Sequence, residues 1–430
     1  MECRERDRII ELIKREVVPA IGCTEPIAVA LCVAKAKELL GRQPKKVEVL
    51  LSANMLKNAM GVGIPSTDKI GLPIAIALSV IIGKSEYGLE VLKDSTAEAV
   101  ELANRYVDEA AIHIELKKES CDKLYIEVKV SGDEDDYAEA IISGTHTHFT
   151  LLAKNGEILL SEDAQSSAAN KEESLDLNLK KIVDFATTEP YERIKFILEA
   201  GYLNKKAADE AMKANYGHGV GKMLAMQSQS SCNVIGDGIY IKALSTTAAA
   251  TDARMAGAMV QVMSNSGSGN QGISATLPVV VYAEEQNKSE EELARALILS
   301  HLTAIYIKQS LGRLSALCGC VVAGTGASCG ITYLMGGGYK EVSYAVQNMI
   351  ANITGMLCDG AKPSCSLKVA TGVSTAVLSA LLAMDGKYVT SAEGIIDDDV
   401  DQTIRNLTKI GTQGMQETDK VVLDIMTSKK

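Results

Sequence analysis

Apolar and polar positions change their spacing part-way along the chain. In residues 1 to about 170, segments with helical spacing alternate with segments such as KKVEVLLSA, KLYIEVKVSG and HTHFTLLAKNGEILL, in which apolar residues recur at every second position. The first spacing predicts helices, including one over residues 4–16 and one over residues 26–40, and the second predicts strands. Asn155 and Gly156 separate two alternating segments and predict a two-residue hairpin turn. We therefore predict an α+β lobe over residues 1–170.

Beyond residue 170 nearly every segment has helical spacing, as in EEELARALILSHLTAIYIKQS and YAVQNMIANITGML. Gly-rich stretches join these segments, which predicts an all-helical lobe over residues 171–430. Between the two patterns, residues 161–174 (SEDAQSSAANKEES) are small and polar without a period, as in a linker. The whole chain is thus predicted to be α+β, with a mixed N-terminal lobe and a helical C-terminal lobe with Gly-rich loops.

Length and charge limit the possible domain organisation and binding partners. A chain of 430 residues exceeds the size at which one core stops growing, which predicts two domains or one large two-lobed domain. A net charge of −11 argues against nucleic acid or an anionic membrane as the partner. Two long uncharged runs, residues 255–282 and 314–339, are studded with Gly, Ser, Thr and Asn, and we predict buried helices and tight loops there rather than membrane spans.

The N-terminus is charged from its second residue and lacks the apolar core of a secretory signal, which favours a cytoplasmic protein. In the cytoplasm the ten cysteines would stay reduced. A small molecule is then the expected partner, and a homo-oligomer is left open.

Three of those cysteines form a candidate metal site. Cys358 and Cys365 enclose a loop with Asp-Gly and a proline, CDGAKPSC, and Cys318 lies in a segment that also contains Cys320 and Cys329. Thiolates are the usual ligands of structural zinc and of iron–sulfur clusters, and a short spacing across a turn fixes two of them. The alternative is that these cysteines are small core residues.

The segment SNSGSGNQGI, residues 264–273, is a candidate anion site. Consecutive backbone N–H groups and short hydroxyls form a nest that suits a carboxylate or a phosphate. The segment lacks the ending of a phosphate-binding P-loop and the dinucleotide-binding spacing. A plain turn between helices is the alternative. The residues of the candidate nest are Ser266, Gly267, Ser268, Gly269 and Asn270.

The segment AIGCTEPIAVAL supplies a candidate catalytic thiol. Thr24 is predicted to cap a helix, which places Cys23 at the positive end of the helix dipole, where a thiolate is favoured. Glu25 opposes that thiolate, and a lone cysteine is often only structural. We predict Cys23 as a base or nucleophile, with Thr24, Lys57 and Asn58 as candidate substrate contacts.

Together, AIGCTEPI, MLKNAMGVGIP, SNSGSGNQGI, LSALC and MLCDGAKPSC resemble the L-cysteine desulfidase family, which is related to the iron–sulfur-dependent L-serine dehydratases. The resemblance runs over essentially the whole chain in the same motif order. It implies an oxygen-sensitive lyase that holds a [4Fe–4S] cluster on Cys318, Cys358 and Cys365 and works without pyridoxal phosphate. It also places Cys23 where the related dehydratases carry a base-bearing loop.

The implied reaction is elimination from a small L-amino acid, a step of amino-acid catabolism. Three thiolates leave one iron open to act as a Lewis acid on the leaving group, the nest holds the substrate carboxylate, and the base removes the Cα proton. L-Cysteine would give sulfide, ammonia and pyruvate, and L-serine dehydration is the second candidate. Two other hypotheses are a redox or iron-sensing protein, in which Cys320 or Cys329 would be the fourth cluster ligand, and a protein with a structural zinc site. Cys320 in place of Cys318 is a further alternative.

Overall fold

The computed structural model describes residues 2–132, 136–162, 175–230, 235–312 and 314–429. Its class is α+β, as predicted, because a six-stranded sheet lies in the first half of the chain and the second half consists almost entirely of helices.

Helices occupy the segments with helical spacing. Their bounds are α1 (Cys3–Glu16), α2 (Thr24–Leu40), α3 (Ala53–Ala59), α4 (Leu72–Ile82), α5 (Ala97–Glu109), α6 (Leu179–Thr188), α7 (Tyr191–Ile194), α8 (Leu198–Lys213), α9 (Val220–Ser228), α10 (Ile239–Met255), α11 (Gly269–Glu285), α12 (Glu290–Leu311), α13 (Gly319–Leu334), α14 (Tyr339–Ile353), α15 (Cys365–Met384), α16 (Val400–Lys409) and α17 (Gln416–Thr427). The predicted helices over residues 4–16 and 26–40 are confirmed as α1 and α2.

Strands occupy the alternating segments. Their bounds are β1 (Pro19–Ile21), β2 (Lys46–Leu51), β3 (Gly63–Ile64), β4 (Lys69–Ile70), β5 (Ala111–Leu116), β6 (Tyr125–Ser131), β7 (Tyr137–Ser143), β8 (Phe149–Lys154), β9 (Glu157–Ser161) and β10 (Gln261–Met263). The main sheet has the order β5-β2-β6-β7-β8-β9, with β2 and β5 parallel and the other neighbours antiparallel.

Alternation along the central strands buries one face of the sheet. In β6, Ile126, Val128 and Val130 are buried in the same cluster as helices α2 and α4, while the residues between them are partly exposed. The predicted hairpin is confirmed, since Asn155 and Gly156 both have positive φ between β8 and β9. Strand β7 was not predicted, because alanine supplies two of its three fully buried alternate positions and gives a weak hydrophobic signal.

The second half departs from the predicted all-helical lobe at one place. Strand β10 pairs antiparallel with β1 from the first half, with Ala20 opposite Val262. This ribbon was missed because each strand is only three residues long. It brings the segment before Cys23 beside the segment before the predicted nest, and so sets the position of both.

The first and last helices each pack against the opposite half of the chain. Ile9 and Ile13 of α1 are buried in the core cluster of the helical half, whereas Leu423 of α17 is buried in the cluster under the sheet. Most of the predicted linker, residues 163–174, lies outside the described residues. The division of the chain into residues 1–170 and 171–430 stays a prediction.

The two long uncharged runs contain helices α11 and α13, in which most residues are buried within the protein. Among the described residues one helix, α15, is long and apolar enough to cross a membrane, and half of its most apolar window is buried. Helix α15 packs against α10, α13 and α14.

Candidate functional site

A cavity of about 110 Å³ lies where the two halves of the chain meet. The structure brings seven of the predicted site residues to its wall. They are Cys23 and Asn58 from the first half, and Ser268, Asn270, Cys318, Cys358 and Cys365 from the second. Thr24, Ser266, Gly267 and Gly269 are not among the lining residues; all but Ser266 directly adjoin one in the sequence.

A short backbone ladder brings Cys318 beside Cys358, although 40 residues separate them. The Cys318 N–H donates to the carbonyl of Met356 at 3.0 Å, and the Cys358 N–H donates to the carbonyl of Ala316 at 2.7 Å. These two bonds form an isolated antiparallel bridge between the segments. Both thiols therefore reach the cavity from adjacent backbone.

The loop after Cys358 delivers the third thiol. Cys365 is the first residue of α15, and its Sγ lies 3.6 Å from the carbonyl oxygen of Gly360. Gly360 has a φ of +88°, and a Cβ there would collide with the backbone of Lys57. Only glycine allows this loop to fold so closely against the first half of the chain.

Four helix N-termini meet at the cavity. Cys23, Ser268 and Cys318 occupy the N-cap positions of α2, α11 and α13, and Cys365 begins α15. Each N-terminus carries unpaired N–H groups and a partial positive charge. The cavity is therefore suited to negative charge, including thiolates and a carboxylate.

The thiols of the cluster loops differ in acidity. Cys320 donates its S–H to Cys318 Sγ at 3.2 Å, and this bond lowers the pKa of Cys318 to about 7. Burial raises the pKa of Cys365 to about 11 and also raises the pKa of Cys358. Cys318 is thus the thiol of the three that ionises most readily in the free protein.

The donor set fits an iron–sulfur cluster. The nine cysteines that the structure describes are all free thiols. Among the described residues no group of three or more His, Cys, Asp or Glu side chains could hold a single metal ion. Cys318, Cys358 and Cys365 line the same cavity, and thiolates are the usual ligands of such a cluster. The charge of Lys368 acts on both Cys318 and Cys358 and would offset part of the negative charge of such a group.

Cys23 is a thiol rather than the predicted thiolate. Its side chain is 3% exposed, and its Sγ donates to Glu25 Oε2 at 2.9 Å. Burial, followed by the charge of Glu25, raises the pKa of Cys23 well above its ordinary value. The predicted effects were a helix dipole that favours the thiolate and a Glu25 charge that opposes it; desolvation, which was not predicted, is the largest effect. Helix α2 begins at Thr24, so that Cys23 and not the predicted Thr24 is its N-cap.

The predicted nest is only partly open. The Ser266 N–H donates to the carbonyl of Glu16 at 2.8 Å, and the Ser268 N–H donates to the carbonyl of Asn265 at 3.0 Å. The prediction that the backbone N–H groups of residues 266–270 form an anion nest is therefore wrong for these two amides. The amides of Gly269 and Asn270, the first two positions of α11, are the ones that helix geometry leaves without an intrahelical partner.

Thr24 joins the two halves beside the nest. Its hydroxyl lies within hydrogen-bonding distance of Gly267 O, at 3.2 Å, and of Glu25 Oε2, at 3.1 Å. Lys57, another candidate contact, is 1% exposed and pairs with Asp419 of α17 instead of lining the cavity. Thr24 and Lys57 thus have structural partners, whereas Asn58 is at the wall.

Arg254 is a cavity residue that the sequence interpretation missed. It is 3% exposed, and its Nη1 donates to Asn270 Oδ1 at 2.9 Å. Within the described residues its Nε has no hydrogen-bond partner and its guanidinium has no carboxylate within salt-bridge distance. Gly269 packs so closely on the guanidinium that a Cβ would collide with it.

A sequence signal for Arg254 existed. Between Lys242 and Glu284 the only charged residues are Asp252 and Arg254. A lone cation in a long uncharged segment indicates a buried charge, which needs a counter-charge from the protein or from a ligand.

Comparison with known proteins identifies the family of the chain. Residues 86–424 match the family model described as serine dehydratase alpha chain. The chain belongs to the serine dehydratase alpha chain family. The matched residues include Arg254 and the three predicted cluster cysteines, while Cys23 precedes them. The predicted relation to serine dehydratases is confirmed, and the family is one of lyase-type enzymes.

Bacterial relatives match over nearly their full length. A UPF0597 protein of Bacteroides fragilis is 67% identical over 425 residues, which is 99% of each chain. One from Bacteroides thetaiotaomicron is 64% identical over 99% of this chain and 98% of its own. One from Porphyromonas gingivalis is 53% identical over the whole of both chains.

Proposed function

We propose that the protein is an iron–sulfur-dependent lyase that eliminates the β-substituent of a small L-amino acid, with L-cysteine as the preferred substrate. The products would be sulfide, ammonia and pyruvate. The single observation that carries the proposal is that one cavity is lined by three thiols and by Arg254, which has no carboxylate partner among the described residues. Cys318, Cys358 and Cys365 are called the thiol end below, and Arg254 with Asn270 is called the arginine or carboxylate end.

Arg254 is the proposed receptor for the substrate carboxylate. A buried guanidinium without a counter-charge is costly, and a carboxylate that binds two of its N–H groups would remove that cost. The orphaned Nε and the nearby first amides of α11 offer donors for such an anion. The nest therefore contributes through Gly269 and Asn270, and Arg254 adds the charge.

Cys318, Cys358 and Cys365 are the proposed ligands of a [4Fe–4S] cluster. When bound, the cluster would supply a Lewis-acidic iron for the leaving sulfur or oxygen. The chain contributes the three thiolates, and Lys368 and the N-termini of α13 and α15 balance their charge. Cys318 is preferred to Cys320, because the Cys320 thiol already donates to Cys318 and lies 2.9 Å from Met356 Sδ.

Cys23 is the proposed base, with Glu25 as its partner. In the resting site Glu25 Oε2 accepts a hydrogen bond from the Cys23 thiol. Transfer of that proton to Glu25 leaves a thiolate that can take the proton from the substrate Cα. Burial makes this thiolate strongly basic, which suits removal of a weakly acidic carbon-bound proton.

L-Serine dehydration is the second candidate, and the family description favours it. A redox or sensor protein would use a fourth thiolate. Cys329 does not fit that role, because it is fully buried in the helical core cluster and does not line the cavity. We further propose a cytoplasmic enzyme with a small amino acid as its partner, and the homo-oligomer stays a prediction.

The test is an anaerobic assay of protein reconstituted with iron and sulfide, using L-cysteine and L-serine in parallel. We expect pyruvate from both and a higher kcat/KM with L-cysteine. A higher kcat/KM with L-serine would reverse the order of the two candidates. A fully loaded, brown protein that releases pyruvate from neither would contradict the proposal and favour the sensor.

A further inference from the structure

Gln271 carries a second unpaired polar atom at the cavity wall. The residue is 1% exposed, lines the cavity and follows Asn270, the residue that binds Arg254. Its Oε1 is buried without a hydrogen-bond partner in the described part of the chain. This oxygen lies on the side of Gly319, which also lines the cavity. A buried acceptor left in this state requires a donor.

Asn265 determines which end of the Gln271 amide faces the cavity. Gln271 Nε2 donates to Asn265 Oδ1 at 2.8 Å and lies 3.4 Å from the Asn265 backbone oxygen, which only accepts. The nitrogen end is therefore held toward Asn265. Oε1 must then point away from Asn265.

Asn265 is oriented in turn by His301. Asn265 Nδ2 lies 3.0 Å from His301 Nδ1 and 3.2 Å from the His301 backbone oxygen, which fixes the amino group on that side. Thr276 donates its hydroxyl hydrogen to Gly272 O at 2.7 Å, so His301 Nε2, 2.9 Å away, must donate to Thr276. His301 Nδ1 is then the acceptor for Asn265.

Complete burial keeps this histidine neutral. His301 is 0% exposed, and desolvation lowers its pKa to about 3. The ring therefore stays neutral at physiological pH, and the bond to Thr276 determines its tautomer. The chain Thr276, His301, Asn265 and Gln271 thus ends in an acceptor whose direction is fixed.

From this arrangement we propose that Gln271 Oε1 binds the α-ammonium group of the amino-acid substrate, and that His301 and Asn265 are positioning residues for it. The inference rests on the proposed function for the carboxylate at Arg254. In an amino acid the ammonium and carboxylate groups share one carbon, so their receptors must be close neighbours. Gln271 and the Arg254 partner Asn270 are adjacent in the first turn of α11.

The two-point site makes a prediction about ligands. L-Alanine presents both groups without a leaving group, whereas propionate presents the carboxylate alone. The reconstituted wild-type protein should bind L-alanine at least about tenfold more tightly than propionate, the scale of one hydrogen bond to a charged group. Equal affinities in isothermal titration calorimetry would overturn the proposal without any variant.

The decisive variant is Gln271→Met, which keeps the length of the side chain and removes the acceptor. We expect the preference for L-alanine to fall to less than about threefold while propionate affinity changes by less than about twofold. Asn265→Leu should reduce the preference in the same direction, because Gln271 is then free to turn. A Gln271→Met protein that keeps the wild-type preference, or that loses both ligands equally, would overturn the role.

Gln347 supplies a matched control. It is also a buried glutamine with an unpartnered Oε1 among the described residues, but it lies in α14 away from the cavity. Gln347→Met should keep the wild-type preference. If the wild-type protein prefers L-alanine yet releases no pyruvate from L-cysteine or L-serine, the proposed function fails and the ammonium site stands. If the wild-type protein turns over substrate and Gln271→Met keeps the preference, the proposed function stands and the ammonium site fails.

Discussion

Two loops meet at the cavity and contribute to it in different ways. The loop from Cys358 to Cys365 presents its chemistry through side chains, and the backbone serves to place them. The loop from Ser264 to Asn270 is rich in glycine and serine, yet four of its amides are bonded within the protein. Its polar character shapes the start of α11, while the charge at that end of the cavity comes from Arg254 on another helix.

The contrast shows that a glycine- and serine-rich composition can indicate where an anion binds without supplying all the groups that bind it. At the thiol end, the cysteine side chains of the loops themselves would bind the cluster. At the carboxylate end, the glycine-rich loop needs Arg254 from a neighbouring helix to supply the positive charge. Substitutions at the two ends should therefore separate cluster content from substrate binding.

The largest effect is expected at the thiol end. Cys358→Ala should remove both the iron and the activity of the reconstituted protein, because it deletes one of three proposed ligands. Iron analysis and the visible absorption spectrum measure this loss. Cys329→Ala is the matched control, since it changes a buried thiol outside the cavity and should keep the iron. Full iron content in Cys358→Ala would contradict the ligand assignment.

Arg254→Met should leave the iron content unchanged and reduce kcat/KM by about a hundredfold, the upper scale for hydrogen bonds to a charged group. The side chain keeps much of its packing but loses the proposed carboxylate receptor. Steady-state kinetics with L-cysteine measure the effect. An unchanged kcat/KM would move the carboxylate site elsewhere.

The thiol trio and Arg254 differ in how far they could be predicted. The cysteines indicate a cluster site by their residue type and by the short spacing between Cys358 and Cys365. The bridge that brings Cys318 to them depends on pairing across 40 residues, which spacing alone cannot establish. The free amides of the glycine-rich loop were overestimated because their partners, the carbonyls of Glu16 and Asn265, become available only in the fold.

The acidity of Cys23 could not be predicted from the sequence either. Its place at the start of a helix could be predicted from Thr24, Glu25 and Pro26. The rise in its pKa could not, because the rise follows from burial between the two halves of the chain.

Cys23→Ala should keep the iron and the brown colour and reduce turnover by about a hundredfold, the scale for losing a positioned base. Pyruvate release and iron analysis on the same sample measure both. Loss of iron would make Cys23 a fourth ligand and favour the redox or sensor reading. Near-normal turnover would assign proton removal to another group.

The smallest effect is expected at Ser266. Its amide is bonded to Glu16, and its hydroxyl donates to Asn265 Oδ1 at 2.9 Å rather than facing the cavity. Ser266→Ala should therefore change KM by less than about threefold, with a loss of about 1 kcal/mol in the free energy of unfolding. A large rise in KM at unchanged stability would restore the nest as the principal carboxylate receptor.

The central claim is that the thiol end and the arginine end hold one substrate molecule at the same time. The most direct measurement is the electron paramagnetic resonance spectrum of the reduced, reconstituted protein during titration with L-serine. In the wild-type protein we predict that L-serine shifts the cluster signal, and that Arg254→Met needs about a hundredfold more L-serine for the same shift. Identical titrations of the two proteins would contradict the claim.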